Sequence, residues 1–334
     1  MGMAAHGIIL NATFWGRIFR ARSKVVMKLE NTPFRKALLS LALITLLPGK
    51  GLLAEEAPKN AAAAPAEAAA SPLVWLTSLA PALEEAKRRD TYILVDLYAE
   101  WCGWCKQLEK KVFQSPEFAR RARELVLLRV DTEDGADGSR LQALHDASSL
   151  PNTLLLDAKG VRVGQIGGYA PTREFLAYID QQLAAWKELV ANYPELLASD
   201  EAEIQLDLAK ELHRRQDGER AAALYQAAAK KMEADSSSYA WLLYNLADAQ
   251  RIGRNFELAE QTIAKARTLL AKADEPAVFG EQLDLLHYYI AQDNGDCRGA
   301  RATLEQFLEA HPASQMRQRL QKTLSELRLD SKCT

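Results

Sequence analysis

Two cysteines that lie three residues apart, directly after a short apolar run, constrain this chain more than any other feature. The run TYILVDLYA is rich in β-formers and has the length of a buried strand. The segment CKQLEKKVF carries apolar residues at helical spacing. The motif WCGWC, at residues 101–105, is therefore predicted to lie between the end of a strand and the start of a helix.

Such a pair of cysteines could be a redox pair or half of a metal site. A structural zinc site needs four ligands, and the remaining cysteines, Cys297 and Cys333, are isolated and distant. Covalent haem attachment needs a histidine where Lys106 stands. Thiol–disulfide exchange remains, with no metal or cofactor expected. The start of a helix suits that chemistry, because exposed N–H groups and the helix dipole favour a thiolate. We also expect the first sulfur to be open to a partner.

Strands and helices alternate from residue 73 to about residue 190. LVLLRVD has the pattern of a second buried strand, and NTLLLDAKGVRVGQIGG that of two strands joined by a turn at residues 157–160. Residues 171–186 have helical periodicity. This alternation predicts an α/β domain, in which helices cover a sheet.

Several motifs in this part of the chain resemble the thioredoxin family. ILVDLYAEWCGWCK is similar to the family's active-site segment, with Trp104 in place of its usual proline. WCGWCKQLEKKVFQSPEF also resembles bacterial periplasmic thioredoxin-like proteins and the C-terminal domain of DsbD. Leu150-Pro151 resembles the family's cis-proline loop, and residues 167–169 its glycine–aromatic turn. Asn152 stands where the family commonly has threonine. The resemblance spans about residues 73–186 and implies a thioredoxin fold.

The resemblance also implies catalytic roles. Cys102 would be the attacking nucleophile and Cys105 the resolving thiol. Asp96 would be the family's buried carboxylate, which helps to move the proton of Cys105. An acid inside an apolar strand loses hydration, which raises its pKa and makes it a usable proton acceptor. The alternative is an edge-strand aspartate that faces water. No lysine clearly occupies the family's partner position for this acid, although Arg129 is near in sequence.

The implied substrate contacts surround the cysteines. Pro151 in cis would place backbone groups beside the disulfide, where they pair with an incoming extended chain; the alternative is an ordinary trans loop proline. Trp101 is predicted to pack over the sulfurs, and Trp104 to be either a substrate contact or exposed filler. The predicted substrate-binding residues are Trp101, Gly103, Trp104 and Leu150.

The remainder of the chain, residues 191–334, shows paired helical segments and lacks strand patterns. Ala221, Ala259 and Ala300 each follow a turn, at spacings of 38 and 41 residues. A small residue lies twelve positions before Ala221 and before Ala259, whereas Tyr288 occupies the same position before Ala300. The pattern resembles tetratricopeptide repeats, whose period is about 34 residues. We predict an all-α helical-repeat domain that binds a protein partner.

The N-terminal residues have the pattern of a targeting segment. A basic pair at residues 35–36 precedes the apolar run 37–47, which is shorter than the roughly 20 residues of a spanning helix, and small residues follow. We predict a signal peptide over residues 1–54 with an extra N-terminal extension, because Met27 would be a more ordinary start. The protein would then be periplasmic or otherwise exported; the alternative is an uncleaved membrane anchor. Residues 55–72, rich in alanine and proline, are predicted to be a linker.

Charge and the remaining cysteines add two expectations. Lys and Arg number 42 against 44 Asp and Glu, which argues against nucleic acid as the main partner. In an exported protein, Cys297 and Cys333 are candidates for a structural disulfide; the alternative is two free thiols.

Together these features predict an exported thiol–disulfide oxidoreductase that reduces protein disulfides. It would need an upstream thiol electron donor, for example a membrane relay, and would bind a protein partner through its helical repeats. The alternatives are a non-catalytic interaction scaffold and a disulfide isomerase or oxidant. The reduction potential separates the last of these from a reductant.

Overall fold

The predicted strands form one sheet in the computed structural model, which describes residues 73–234, 237–271 and 277–329. The strands of this described part are β1 (Trp75–Leu76), β2 (Ile93–Tyr98), β3 (Val126–Asp131), β4 (Asn152–Leu156) and β5 (Arg162–Gly167). Their order is β1-β3-β2-β4-β5, with β1, β3 and β2 parallel and β4 and β5 antiparallel to their neighbours. The predicted α/β fold class is confirmed; the short strand β1 was not predicted individually.

Strand β2 lies at the centre of the sheet, and five of its six residues are buried. Ile93, Val95 and Leu97 belong to a core cluster that includes Leu79 and Leu141 from the helices on one face. Because side chains alternate along a strand, Leu94 and Asp96 point to the opposite face. Covering on both faces explains why this strand is a nearly continuous apolar run, and it places Asp96 in the interior.

The helices of the α/β part cover the sheet and carry the redox motif. They are α1 (Leu79–Arg89), α2 (Gly103–Leu108), α3 (Pro116–Ala122), α4 (Asp137–Leu144) and α5 (Thr172–Leu197), and a π-helical turn, Glu109–Phe113, continues α2. Helix α2 begins within the WCGWC motif, as the spacing predicts. Helix α5 extends over 26 residues and passes through the predicted boundary at residue 190.

The C-terminal part is helical throughout its described residues. Its helices are α6 (Ala202–Arg214), α7 (Gly218–Ala229), α8 (Ser237–Ile252), α9 (Phe256–Leu270), α10 (Ala277–Asp293), α11 (Cys297–Ala310) and α12 (Arg317–Leu329). An α/β domain followed by a helical region is therefore confirmed as the fold class.

The same turn occurs three times between these helices. In each case a residue with positive φ precedes the N-terminal cap of a helix, and the N–H of the cap residue donates to a carbonyl five residues earlier. The residues with positive φ are Gln216 (65°), Arg254 (59°) and Gly295 (75°). The predicted repeat alanines, Ala221, Ala259 and Ala300, are each the fourth residue of the following helix and are at most 1% exposed. A recurring helical hairpin is thus present, while its assignment to the tetratricopeptide class stays a prediction.

Residues on α6 and on the turn after it dock against the edge strand β5. The N–H of Arg162 donates to the carbonyl of Arg215 at 2.8 Å, and the Arg215 guanidinium donates to the carbonyls of Arg162 and Val163 at 3.2 and 3.0 Å. Arg215 also pairs with Glu211 at 2.7 Å and lies over the ring of Trp186, on α5. The helical region therefore satisfies part of a sheet edge that would otherwise be open. From Leu73 onward the chain forms one compact unit.

The remaining predictions concern residues outside the described ranges. The signal peptide over residues 1–54, the linker over residues 55–72 and Cys333 all lie there. Among the described helices, none has the length and apolarity needed to cross a membrane.

Substitution of Gly218 tests the packing between the helical hairpins. Gly218 is the first residue of α7, and an added Cβ would collide with the backbone of Ala249 and Gly253 at the end of α8. We expect Gly218→Ala to lower the free energy of unfolding by about 1–3 kcal/mol, as overpacking does. The measurement is urea denaturation followed by circular dichroism.

Gly280→Ala is the matched control. An added Cβ at Gly280, on α10, meets no atom within 4 Å, so helix propensity should make this substitution neutral or stabilising by about 1 kcal/mol. Equal effects of the two substitutions would contradict the proposed hairpin contact.

Candidate redox site

Cys102 and Cys105 form a disulfide at the N-terminus of α2. Their Cα atoms lie 5.3 Å apart. Cys102 is the N-terminal cap of the helix, and its sulfur accepts a hydrogen bond from the backbone N–H of Cys105 at 3.0 Å. The first sulfur thus lies where helix N–H groups and the helix dipole stabilise negative charge. The position that the spacing predicts for the pair is the one observed.

Both cysteines are mostly covered in this disulfide-bonded state. Cys102 is 4% exposed and Cys105 is 3% exposed. They cluster with Ala99, and the partly buried side chains of Tyr98 and Leu150 pack against them. The expectation of an openly exposed first sulfur is therefore not met, because the strand end and the loop at Leu150 close around the pair.

The loop opposite the disulfide contains a cis peptide bond between Leu150 and Pro151, as the resemblance implies. The N–H of Gly168 donates to the carbonyl of Pro151 at 2.8 Å, and Gly168 has φ of 85°, which glycine adopts without steric cost. Leu150 contacts the cysteine cluster. The glycine–aromatic turn therefore holds the proline loop beside the disulfide.

Asn152, the departure from the family pattern, is buried rather than presented to a partner. Its residue is 3% exposed. The side-chain oxygen accepts from Gln165 Nε2 at 3.2 Å, and Nδ2 donates to the carbonyl of Ser149 at 3.4 Å. This amide consequently fastens the start of β4 to β5.

Three exposed aromatic side chains surround the motif, and we call them the aromatic rim: Trp101, Trp104 and Tyr169. Trp101 is 69% exposed, and its indole N–H donates to a Glu133 carboxylate oxygen at 2.8 Å, so this ring extends into solvent instead of packing over the sulfurs. Trp104 is 62% exposed, and its ring lies 5.7 Å from that of Tyr169. Tyr169 was not predicted as a contact, although the glycine–aromatic turn at residues 167–169 contains it.

Gly103, which lies between Cys102 and Trp104 in the chain, is exposed and has open space around it. A Cβ added to this residue would meet no atom within 4 Å. The backbone beside the disulfide is therefore uncovered at this position.

Asp96 lies in the interior of the sheet, in the strand that leads into the motif. It is 2% exposed, one carboxylate oxygen lies 3.4 Å from Arg129 Nε, and the other has no hydrogen-bond partner. Burial raises the pKa of Asp96 to about 7. The positive charge of Arg129 lowers this pKa, and the negative charge of Glu109 raises it further. The carboxyl is therefore placed to exchange a proton near neutral pH.

Arg129 is the partner of Asp96 that the sequence left undecided. It lies directly opposite Asp96 in the register of β2 and β3. Its shorter ion pair, at 2.9 Å, is with Glu109 on the π-helical turn, and its guanidinium lies 4.5 Å from the ring centroid of Tyr98. The hydrogen bond from Arg129 holds the pKa of Glu109 below its usual value. Because Arg129 is shared, it only partly offsets the burial of Asp96.

The second cysteine pair is only half described. Cys297 is the first residue of α11, and Cys333 lies outside the described residues. The bridge between them stays a prediction.

Comparison with known proteins agrees with this geometry. Residues 74–158 match the family described as Thioredoxin-like. Thioredoxin C-3 of Corynebacterium nephridii is 38% identical over 97 residues, which are 28% of this chain and 60% of that protein. The thiol:disulfide interchange protein DsbD of Pseudomonas fluorescens is 35% identical over 98 residues, which are 28% of this chain and 17% of that protein. The chain thus spans less than two thirds of these relatives.

Solved structures show the same kind of similarity. The oxidised C-terminal domain of Neisseria meningitidis DsbD is 20% identical, and the match covers 33% of this chain and 99% of that one, with a TM-score of 0.27. A structure titled DsbH Oxidoreductase is 21% identical, with 35% and 88% of the two chains covered and a TM-score of 0.31.

The chain therefore contains a domain of the thioredoxin superfamily. The domain is of the disulfide oxidoreductase type, and its CxxC pair is Cys102 and Cys105.

Substitution of Asp96 tests its burial through the pH dependence of stability. Its pKa is about 7 in the folded protein against an ordinary value of 3.8, so folding favours the protonated form, and wild-type stability should fall as pH rises from about 4 to about 7. Asp96→Asn removes that loss. We expect the oxidised variant to be more stable than wild type by about 2–4 kcal/mol at pH 8, and by much less near pH 4. The measurement is urea denaturation across this pH range.

Asp180→Asn supplies the control for this experiment. Asp180 has 64% of its side chain exposed, so its removal should leave the wild-type pH dependence in place. Stability curves that run parallel for Asp96→Asn and wild type would show that Asp96 is not the group concerned.

Proposed function

We propose that the protein is an exported thiol–disulfide oxidoreductase that reduces disulfide bonds in other proteins. The observation that carries this proposal is a disulfide between Cys102 and Cys105 at a helix N-terminus, together with the buried carboxyl of Asp96 in the preceding strand. The helix N-terminus favours a thiolate at Cys102. The carboxyl of Asp96, with a pKa of about 7, is the proposed proton acceptor for Cys105.

The reaction begins from the reduced pair. The Cys102 thiolate attacks one sulfur of a substrate disulfide, so that an S–S bond forms between protein and substrate while the substrate's other sulfur leaves as a thiolate and takes up a proton. Cys105 then gives its proton to the Asp96 carboxylate and attacks the Cys102 sulfur. This second step closes the Cys102–Cys105 disulfide and releases the remaining substrate thiolate. One substrate disulfide becomes two thiols, and the protein pair is oxidised by two electrons.

The surroundings of the disulfide support a protein substrate. The aromatic rim offers exposed apolar surface on both sides of the motif, and large aromatic side chains provide much of the energy of protein interfaces. Gly103 leaves the backbone uncovered between them, and the Leu150-Pro151 loop packs beside the sulfurs. An extended substrate segment with a cystine would lie across this surface, between the rim and the proline loop.

The proposal has three further parts: export, an electron donor and a partner-binding surface. Export rests on the basic, apolar and small residues of the N-terminal segment and on the similarity to DsbD. The oxidised pair needs an upstream thiol donor, and a membrane relay is the donor we propose. The recurring hairpins of α6 to α11 are proposed as the surface that holds a protein partner, because stacked helical repeats present extended binding surfaces.

Reduction of a model protein disulfide tests the activity. With dithiothreitol as the donor, we expect wild-type protein to accelerate the reduction of insulin, and Cys102→Ser to leave only the rate of dithiothreitol alone, because no nucleophile remains. Asp96→Asn should slow the reaction by about 100-fold at pH 7, the lower end of general-base contributions, and by less at pH 9. Indistinguishable rates for wild type and Cys102→Ser would end the redox proposal.

Trapping of the mixed disulfide tests whether proteins are the substrates. Cys105→Ala should accumulate covalent adducts with exported proteins, since the step that releases the substrate is blocked. The matched control is Cys102→Ser combined with Cys105→Ala, which should trap none. A set of partners that does not change when both cysteines are removed would favour the interaction scaffold. A reduction potential near that of strong oxidants would contradict net reduction and favour an oxidant or isomerase.

A further inference from the structure

A cavity of about 400 Å³ lies between the thioredoxin-like domain and the first helices of the helical region. It is distinct from the residues that surround the disulfide. Its walls come from the end of α4, the start of β5 and the helices α6 to α8. The lining residues are Leu144, His145, Asp146, Arg162, Lys210, His213, Arg214, Gln216, Tyr225 and Asn245. The volume lies within the range of small-molecule sites, which is roughly 300–1,000 Å³.

Arg162 is a half-buried cation in the wall, and it forms no ion pair with a carboxylate among the described residues. Its Nη1 donates to the carbonyl of His145 at 2.8 Å and to Gln165 Oε1 at 2.6 Å, and both acceptors are neutral. Burial lowers the pKa of Arg162 to about 10; the positive charge of Arg215 adds to this effect, whereas the carboxylates of Glu211 and Asp146 oppose it. Because neither carboxylate forms an ion pair with Arg162, an anion in the cavity would supply a direct charged partner.

The lining residues themselves carry more positive than negative charge. Arg162, Lys210 and Arg214 contribute three cations, whereas Asp146 contributes a single carboxylate. Arg214 pairs with Glu211, and Lys210 lies 3.9 Å from Asp207 and 5.0 Å from the ring centroid of Trp241. Positive charge therefore exceeds negative charge among the residues that line the cavity.

Two neutral polar groups in the wall have no partner. His145 is 1% exposed, and neither of its ring nitrogens is hydrogen-bonded. Burial, together with the nearby Arg162, lowers the pKa of His145 to about 4, so the neutral ring can donate one hydrogen bond and accept another. The hydroxyl of Tyr225, which is fully buried, is also unpartnered. Buried polar groups are normally hydrogen-bonded, so such groups beside a cavity indicate a place for a ligand.

We propose that this cavity is a binding site for a small organic carboxylate. Its carboxylate group would be held by Arg162 and Lys210. A polar substituent would satisfy His145 or Tyr225, and its carbon skeleton would contact Leu144 and the Tyr225 ring. The volume of about 400 Å³ is that of a small-molecule site. The redox mechanism uses none of these residues.

Isothermal titration calorimetry on the full chain tests the proposal with named probes. The probes are succinate, glutarate, benzoate and phenylacetate; the amides succinamide and benzamide are neutral counterparts, and inorganic phosphate represents a simple anion. We expect at least one carboxylate to bind saturably, and its amide to bind at least about tenfold more weakly, since the charge-assisted hydrogen bonds are lost.

Variants connect binding to the cavity. Arg162→Gln should weaken binding at least about tenfold, and Arg298→Gln, which removes an exposed arginine outside the lining, should leave it unchanged. Because Arg162→Gln also removes hydrogen bonds within the fold, Lys210→Gln provides a second test, and it should weaken binding while the thermal unfolding curve keeps its wild-type midpoint.

Three results would overturn the proposal. The first is no saturable binding of any carboxylate up to about 10 mM, which corresponds to negligible affinity. The second is phosphate binding as tight as that of the best carboxylate. The third is equal loss of binding in Arg298→Gln and in the cavity variants. Binding is measured without any redox step, so its failure is separate from failure of the proposed oxidoreductase activity.

Discussion

The buried carboxyl of Asp96, next to a shared arginine, is the interaction on which the redox site depends. Strand β2 is covered on both faces, so water cannot solvate the charged form of this acid, and the pKa rises to about 7. Arg129 offsets part of the effect, but its shorter ion pair is with Glu109. The same burial that makes β2 the centre of the core thus produces a group that titrates near neutral pH, in the strand that ends at the motif.

The disulfide and the cavity are connected through β4 and β5. Arg162 in the cavity wall donates to Gln165, and Gln165 donates to Asn152, the residue that follows the cis proline. Arg162 also uses its backbone to bind Arg215 of the helical region. The edge strand β5 therefore supports the proline loop, contacts the helical region and carries Arg162, the cation in the cavity wall.

Some features were predictable because they follow from local chemistry. The apolar runs predicted β2, β3, β4 and β5, and the spacing of the cysteines predicted a pair that can close a disulfide at the start of a helix. The recurring alanines predicted the helical hairpins, since a small residue is needed where two helices approach closely. Other features were not predictable. Trp101 turns to Glu133 and away from the sulfurs, and Tyr169 joins Trp104 from a distant turn. Side-chain direction at an exposed position depends on neighbours that are remote in the chain.

By itself, the sequence determined the kind of secondary structure and the place of the reactive pair, because each depends on residue type and short-range spacing. The tertiary structure alone decided which cation faces Asp96, how far the sulfurs are covered, and that a charged cavity forms where α4 and β5 meet α6 to α8. Strand register and the docking of helices bring together residues that lie tens of positions apart. No local pattern encodes such contacts, since they arise from packing of the whole chain.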